Sequence, residues 1–170
     1  MKFTPEKNKT AKFYSLISML VGCVLVGTLF LDVPYKVIYE VIALIFYVLS
    51  FELMYRYSFT TFTYIVEDGN FIVSKRMGQR VQTVCNVSMR TAEALVKTPK
   101  TKEEKEAFAK AYGRVKIRYN YCQILLPKDC RSYLFRFNGE LAEIVFQPNE
   151  AMETAILRMI AEKPEDDDLY

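Results

Sequence analysis

The stretch that decides the fold is Phe13–Leu31, FYSLISMLVGCVLVGTLFL, followed after Asp32 and Val33 by Pro34–Tyr55, PYKVIYEVIALIFYVLSFELMY. At a helical rise of about 1.5 Å per residue, each stretch spans roughly the 30 Å hydrocarbon core of a bilayer. The first holds no charged side chain. The second holds Lys36, Glu40 and Glu52, all near an end, where a side chain can reach the interface. The reading is two membrane helices joined by a tight hairpin at Asp32-Val33. A cleaved leader fits less well, because its apolar run covers about 7–15 residues and no second long run follows at once. Two buried helices of a soluble protein also fit less well. Nothing later in the chain is large enough to wrap helices that are apolar all round.

Working outward, Lys2, Lys7, Lys9 and Lys12 precede the first helix, with Glu6 as the one opposing charge. The turn carries Asp32 and Lys36, and Arg56 follows the second helix. The positive-inside rule then predicts a multi-pass protein of the cell membrane with both chain ends cytoplasmic. Ser15, Ser18 and Gly22 fall on one helical face, and small residues let helix backbones approach closely in lipid. Their partner is either the second helix of the same hairpin or another chain, which makes Ser18 and Gly22 candidate partner contacts. Lys36 with Glu40, and Glu52 with Arg56, stand four apart and read as interfacial anchors. Between Val41 and Val48 the polar inventory is the Tyr47 hydroxyl, which argues against an ion pathway. Tyr47, Phe51, Tyr55, Tyr57 and Phe59 gather at the inner exit. Such rings favour the headgroup level, so a folded domain starts close to the lipid, with no Gly/Ser-rich linker.

Composition bounds the rest. The chain has 170 residues, 51% of them hydrophobic, and a formal charge of +3. The length beyond the hairpin suits one small domain. There is no histidine, which removes the commonest acid–base residue near neutral pH and the commonest metal ligand. Cys23, Cys85, Cys122 and Cys130 show no CxxC spacing, so the sequence predicts no metal site, no cofactor and buried free thiols.

From Thr60 the hydrophobic period changes to two. Phe62, Tyr64 and Val66 alternate with Thr61, Thr63 and Ile65, Asp68-Gly69-Asn70 turns the chain, and Phe71–Lys75 returns. Met77-Gly78-Gln79 turns it again into Arg80–Cys85, which completes a meander. Met89–Val96 is a further strand candidate. Lys97–Gly113, KTPKTKEEKEAFAKAYG, is a charged excursion. Thr101 with Glu104 has the form of a capping box and Gly113 suits the far end, so a short helix is expected. Phe108 and Tyr112 share a face of it. Strands resume with Val115, Ile117 and Tyr119, then Tyr121–Leu126, with a turn at Pro127-Lys128-Asp129. Arg131–Phe137 and Leu141–Phe146 flank Asn138-Gly139, a strong hairpin signal. A last helix starts after Pro148, capped by Asn149, with Met152, Ile156, Met159 and Ile160 as its apolar stripe. Glu165–Asp168 forms an acidic tail.

This order of elements resembles the pleckstrin-homology-type domains of bacterial membrane proteins. The local likeness runs through FTYIVEDGNFIVSKRMGQRVQTVCNVSM, Phe62–Met89, and returns in RSYLFRF, NG, LAEIVF and the final helix. The resemblance implies an α+β chain with a PH-like curved antiparallel sheet, or partly open barrel, and a C-terminal amphipathic helix. The divisions are then a basic N-terminus (1–12), a transmembrane hairpin (13–56), a PH-like domain (57–163) with its insertion at 97–113, and a tail (164–170). The excursion at Lys97–Gly113 departs from the family pattern and leaves the strand order around it open. The resemblance also implies a binding or scaffolding module rather than an enzyme.

The residues agree with that class. No phosphate-cradling glycine loop, dinucleotide loop, serine elbow or metal-spaced cluster occurs. Nucleic-acid binding is not expected, since Lys116 and Arg118 share a strand face while Val115 and Ile117 turn inward. Two surfaces stand out. Lys75, Arg76 and Arg80 surround the Gly78 turn and, with Arg56, are candidate contacts to an anionic lipid surface. A basic turn that merely faces water is the alternative. Phe108 and Tyr112, with Ser18 and Gly22, are candidate contacts to another membrane protein or a second copy of the chain.

Overall fold

In the computed structural model, Lys9–Gly27 (α1) and Lys36–Met54 (α2) are continuous helices, each long and apolar enough to cross a membrane. The structure describes residues 1–6, 9–30, 34–125 and 129–162. Lys7, the Asp32-Val33 link, Pro127-Lys128 and the acidic tail lie outside the described residues. The chain divides into two compact units, one of residues 6–61 and one that joins Met1–Pro5 to the chain from Phe62 onward.

In the first unit the small face of α1 meets α2. Ala11, Ser15, Ser18 and Gly22 are its buried residues, against Ala43 and Ser50 of α2. Ser50 Oγ donates to the Ser15 carbonyl at 2.9 Å, Ser15 Oγ donates to the Ser50 carbonyl at 3.2 Å, and Ser18 Oγ donates to the Phe46 carbonyl at 2.8 Å. Tyr47 lays its ring over Gly22, and its hydroxyl donates to Cys23 Sγ at 3.3 Å. Every hydroxyl on this seam therefore has a partner inside the hairpin, as a low-dielectric surrounding requires. The outer surface is the reverse of a soluble helix pair: Leu16 and Val37 are 65% and 69% exposed. Pro34 stands two residues ahead of α2, and Tyr35 between them takes a left-handed conformation, φ 61°. At the other end Tyr55–Phe59 widens into one π turn, where the Arg56 guanidinium lies 5.6 Å from the Tyr57 ring centre.

A Cβ at Gly22 would sit 3.2 Å from the Tyr47 ring. Gly22→Leu should therefore weaken the seam by about 1–3 kcal/mol, the usual cost of overpacking. In a chain lacking Cys23 and carrying Ser15→Cys with Ser50→Cys, the variant should lower the yield of the cross-link between the two helices. An unchanged yield would show that this contact does not hold the hairpin.

The second unit has two sheets. Lys2–Phe3 (β1), Thr60–Glu67 (β2), Asn70–Met77 (β3) and Arg80–Ser88 (β4) form one, in that order. Ala92–Lys97 (β5), Ile117–Asn120 (β6), Arg131–Phe137 (β7) and Glu140–Phe146 (β8) form the other, ordered β5-β7-β8-β6. β1 pairs with β2 through Lys2↔Ile65 and Phe3↔Tyr64, so residues 1–5 belong to the folded unit. Two residues are too few for a period to be read.

The expectation of an antiparallel sheet needs correction. β6 runs parallel to β8, through Ile117↔Ala142 to Asn120↔Val145. β5 and β8 both pair antiparallel with β7, so β5 and β6 run the same way, and the Lys97–Gly113 excursion with its helix Lys102–Tyr112 (α3) is the long crossover that joins them. The sheet is thus mixed, and among the described residues no barrel closure or curvature is seen. Two strand boundaries also shift. Met89–Thr91 is a short 3₁₀ turn and the strand begins at Ala92. Tyr121 to Leu125 is not a strand, because Asn120 Oδ1 accepts from the Cys122 N–H at 3.0 Å and turns the chain.

Both sheets contribute to one core. The ring of Phe71 lies 5.1 Å from that of Tyr133 and 4.9 Å from that of Phe146, and Tyr64 meets Phe146 at 5.2 Å. The last helix, Glu150–Ala161 (α4), buries Met152 and Ile156 completely in the same cluster, with Ile160 at its margin. Met159 is exposed, at the edge of the stripe. The Asn149 cap is present, its Oδ1 accepting from the Met152 N–H at 3.0 Å. The other face of the second sheet buries a carboxylate. Glu143 accepts from Ser132 Oγ and pairs with Arg118 at 3.2 Å, and Ser132 in turn meets Thr98 Oγ1 at 2.9 Å.

Candidate functional site

The β3–β4 hairpin leaves the core as it approaches its turn. Phe71 and Val73 are fully buried, whereas everything from Arg76 to Thr83 is exposed. An irregularity between Val73 and Ser74 marks the change. The turn is short because Gly78 adopts φ +57°, which costs a glycine little, and Met77 pairs directly with Arg80. Lys75 opposes Gln82 and Arg76 opposes Val81. Alternation therefore puts Lys75, Met77 and Arg80 on one face and Arg76 with Val81 on the other.

The three cations named from sequence are gathered at one tip but straddle its two faces. Between Asp68 and Glu93 the sequence has no carboxylate. Among the described residues no salt bridge involves Arg76 or Arg80. Two apolar side chains accompany them, Met77 at 36% and Val81 at 59% exposure. Sequence reasoning passed over both, because their exposure depends on where the core stops. An apolar residue on each side of a glycine turn, beyond the last core position, has nowhere to pack. Arg56 belongs to the helical unit, in the π turn at its end.

Phe108 and Tyr112 share a face of α3, with ring centres 5.4 Å apart. With Val96, Pro99 and Ala111 they border an open recess of about 340 Å³. The capping box is formed: Thr101 Oγ1 accepts from the Glu104 N–H at 3.2 Å, and Glu104 Oε2 accepts from the Thr101 N–H at 3.1 Å and the Lys100 N–H at 2.7 Å. The Lys100 and Thr101 amides hold the Glu104 carboxyl below the usual glutamate value. A lowered value in the folded state adds stability above the ordinary pKa of about 4.3 and loses it as pH falls further. The protection of α3 amides, taken relative to their intrinsic exchange at each pH, should accordingly fall on acidification below about pH 4.3, and Glu104→Gln should remove that fall. The same pH profile in both proteins would show that the box does not secure α3. Ser18 and Gly22, the remaining candidate contacts, face α2 in the hairpin seam.

Two further recesses occur in the folded unit. One, of about 540 Å³, lies among Asp68, Asn70, Ser88, Arg90, Met159 and Glu162. The other, of about 340 Å³, runs between β4 and the second sheet, with Cys85, Tyr119, Tyr121 and Phe137 on its walls. Burial pushes the Cys85 thiol up to about 11, so it stays protonated at neutral pH. Among the described residues no three histidine, cysteine or acidic side chains gather where they could hold a metal ion. Set against models of known protein families, curated proteins and solved structures, the chain matches none.

Proposed function

We propose that this chain is a membrane-anchored, non-enzymatic PH-like binding module whose β3–β4 tip docks on anionic lipid at the cytoplasmic face. The observation that carries the reading is the tip itself. Three cations surround two exposed apolar side chains on a hairpin that projects beyond its core. Each basic side chain near an acidic leaflet gains about 1 kcal/mol, and apolar neighbours can enter the interface beside it. Topology supports the same picture. β1 pairs with β2, so the start of the chain and the folded unit lie on one side of any membrane that α1 and α2 cross. Lys2, Lys7, Lys9 and Lys12, before and within the first turn of α1, support the cytoplasm as that side. The PH-like part of the reading rests on the order of elements, hairpin-connected strands followed by the amphipathic α4.

The test uses the folded unit alone. Thr4 and Thr63 hydroxyls touch at 2.9 Å, so a short glycine-rich link from Pro5 to Phe62 can replace residues 6–61. This protein should float with acidic vesicles and not with neutral ones. Equal binding to both, or none to either, would overturn the lipid reading.

A second reading is an accessory subunit of a membrane complex. It is favoured by β4, a nine-residue strand at the edge of its sheet with one charged residue, Arg80. Such an edge can accept a strand from a partner. Pull-down in mild detergent that yields only the monomeric chain would count against it.

A further inference from the structure

Cys122 and Cys130 take no part in the basic tip, the α3 face or the hairpin seam. Both are buried, at 2% and 3% exposure, and their sulfurs lie 2.8 Å apart. Neither is in a disulfide. Their backbones are held from opposite sides. The Cys122 N–H donates to Asn120 Oδ1 at 3.0 Å, and the Cys130 carbonyl accepts from the Thr98 N–H at 3.1 Å. The approach is thus built into the chain's turns.

The segment that begins at Tyr121 is a strap across both sheets. Tyr64 Oη donates to the Tyr121 carbonyl at 2.8 Å, and the Phe62 N–H donates to Gln123 Oε1 at 3.0 Å. On the second sheet, the Tyr121 N–H donates to the Val145 carbonyl at 2.9 Å and the Ile124 N–H to Gln147 Oε1 at 3.2 Å. Gln123 is completely buried. Phe62 follows the end of the π turn by three residues, so the strap grips β2 just after the chain leaves its helical unit.

A metal explains the pair poorly. Two thiolates on one zinc, each at about 2.3 Å in a tetrahedron, stand roughly 3.8 Å apart. The separation here is shorter, and no third ligand joins the sulfurs among the described residues. A covalent S–S bond of about 2.05 Å requires only a small further approach.

We propose that Cys122 and Cys130 are a reversible dithiol–disulfide pair that fastens this strap. The proposal is independent of the lipid reading. The oxidant is a low-molecular-weight disulfide. The Cys130 thiolate attacks one of its sulfurs, forming a mixed disulfide and releasing one thiol. Cys122, deprotonated in turn, attacks the Cys130 sulfur, closing the protein disulfide and releasing the second thiol. Two protons and two electrons pass from the protein to the reagent. The Cys122 S–H that faces Cys130, with Lys100 and Arg118 nearby, favours the Cys130 thiolate, which suits it as the first attacker.

The experiment uses the full chain in detergent micelles with oxidised glutathione as the probe, followed by denaturation, alkylation and trypsin. Alkylated cysteines should fall from four to two, leaving Cys23 and Cys85 modified. The peptides Tyr119–Lys128 and Asp129–Arg131 should be joined, and dithiothreitol should separate them. The linked protein should also unfold at higher denaturant than the reduced one. Cys85→Ser should leave the linkage intact, and Cys130→Ser should abolish it. Four alkylated cysteines after exposure, a stable glutathione adduct on Cys130, or a link to Cys23 or Cys85 would overturn the proposal. A linked form no more stable than the reduced one would overturn the fastening role.

Discussion

Replacing Lys75, Arg76 and Arg80 together by glutamine should lower binding of the folded unit to acidic vesicles by about a hundredfold. Binding to neutral vesicles should not change. At about 1 kcal/mol for each cation close to an anionic leaflet, three removals come to about 3 kcal/mol. Every 1.4 kcal/mol is about tenfold, so the expected loss is somewhat over two decades. The effect should shrink as salt is added, because exposed charges are screened over about 8 Å at physiological ionic strength. On the lipid reading, position at the tip counts and total charge does not. Removing Lys116 and Arg118 should therefore do less, since these side chains are paired with Glu140 and Glu143. Met77→Ser with Val81→Ser separates the second component, since loss of apolar insertion reduces binding whatever the lipid charge. Acidic-vesicle binding that survives the triple substitution would end the lipid reading and leave the accessory-subunit reading standing.

Phe71→Ala should destabilise the folded unit by about 3–5 kcal/mol, the usual cost of emptying a buried phenylalanine site. The ring is fully buried where the two sheets meet, against Tyr133 and Phe146. Those neighbours are themselves large and locked, so the site cannot collapse around the missing ring. Domains of this size are stable by about 5–15 kcal/mol, so a large share would be lost. With a urea dependence of about 1–3 kcal/mol per molar, the midpoint should fall by roughly 2 M. Phe137→Ala is the comparison. Its side chain is 53% exposed beside the Asn138-Gly139 turn, and its removal should cost less than about 0.5 kcal/mol. Similar shifts in the two variants would show that the sheets do not share this core.

Much of the architecture was legible because it depends on periodicity and on local turn chemistry. The two apolar runs, the Asp68-Gly69 and Asn138-Gly139 turns, the Thr101/Glu104 box and the Asn149 cap all rest on neighbours within a few residues. The small face Ser15, Ser18, Gly22 was legible as a contact surface, although two occupants remained open until Ser50, Phe46 and Tyr47 were seen against it. The tip was half legible. Its charges announced themselves, but the exposure of Met77 and Val81 depends on where the core stops. Other features had no local trace. β1 is two residues long and finds its partner some sixty positions away. The parallel β6 alternates as an antiparallel strand would, and only its place beside β8 fixes its direction.

By itself the sequence determined the helical pair, the β-rich unit and the basic turn, because each is set by spacing along a few consecutive residues. Tertiary structure alone decided that residues 1–5 join the second unit, that the sheet is mixed, and that Cys122 meets Cys130. These are pairings between segments that local pattern treats as independent. Which segments meet is fixed by the shared core that buries them, and a shared core is a property of the whole chain.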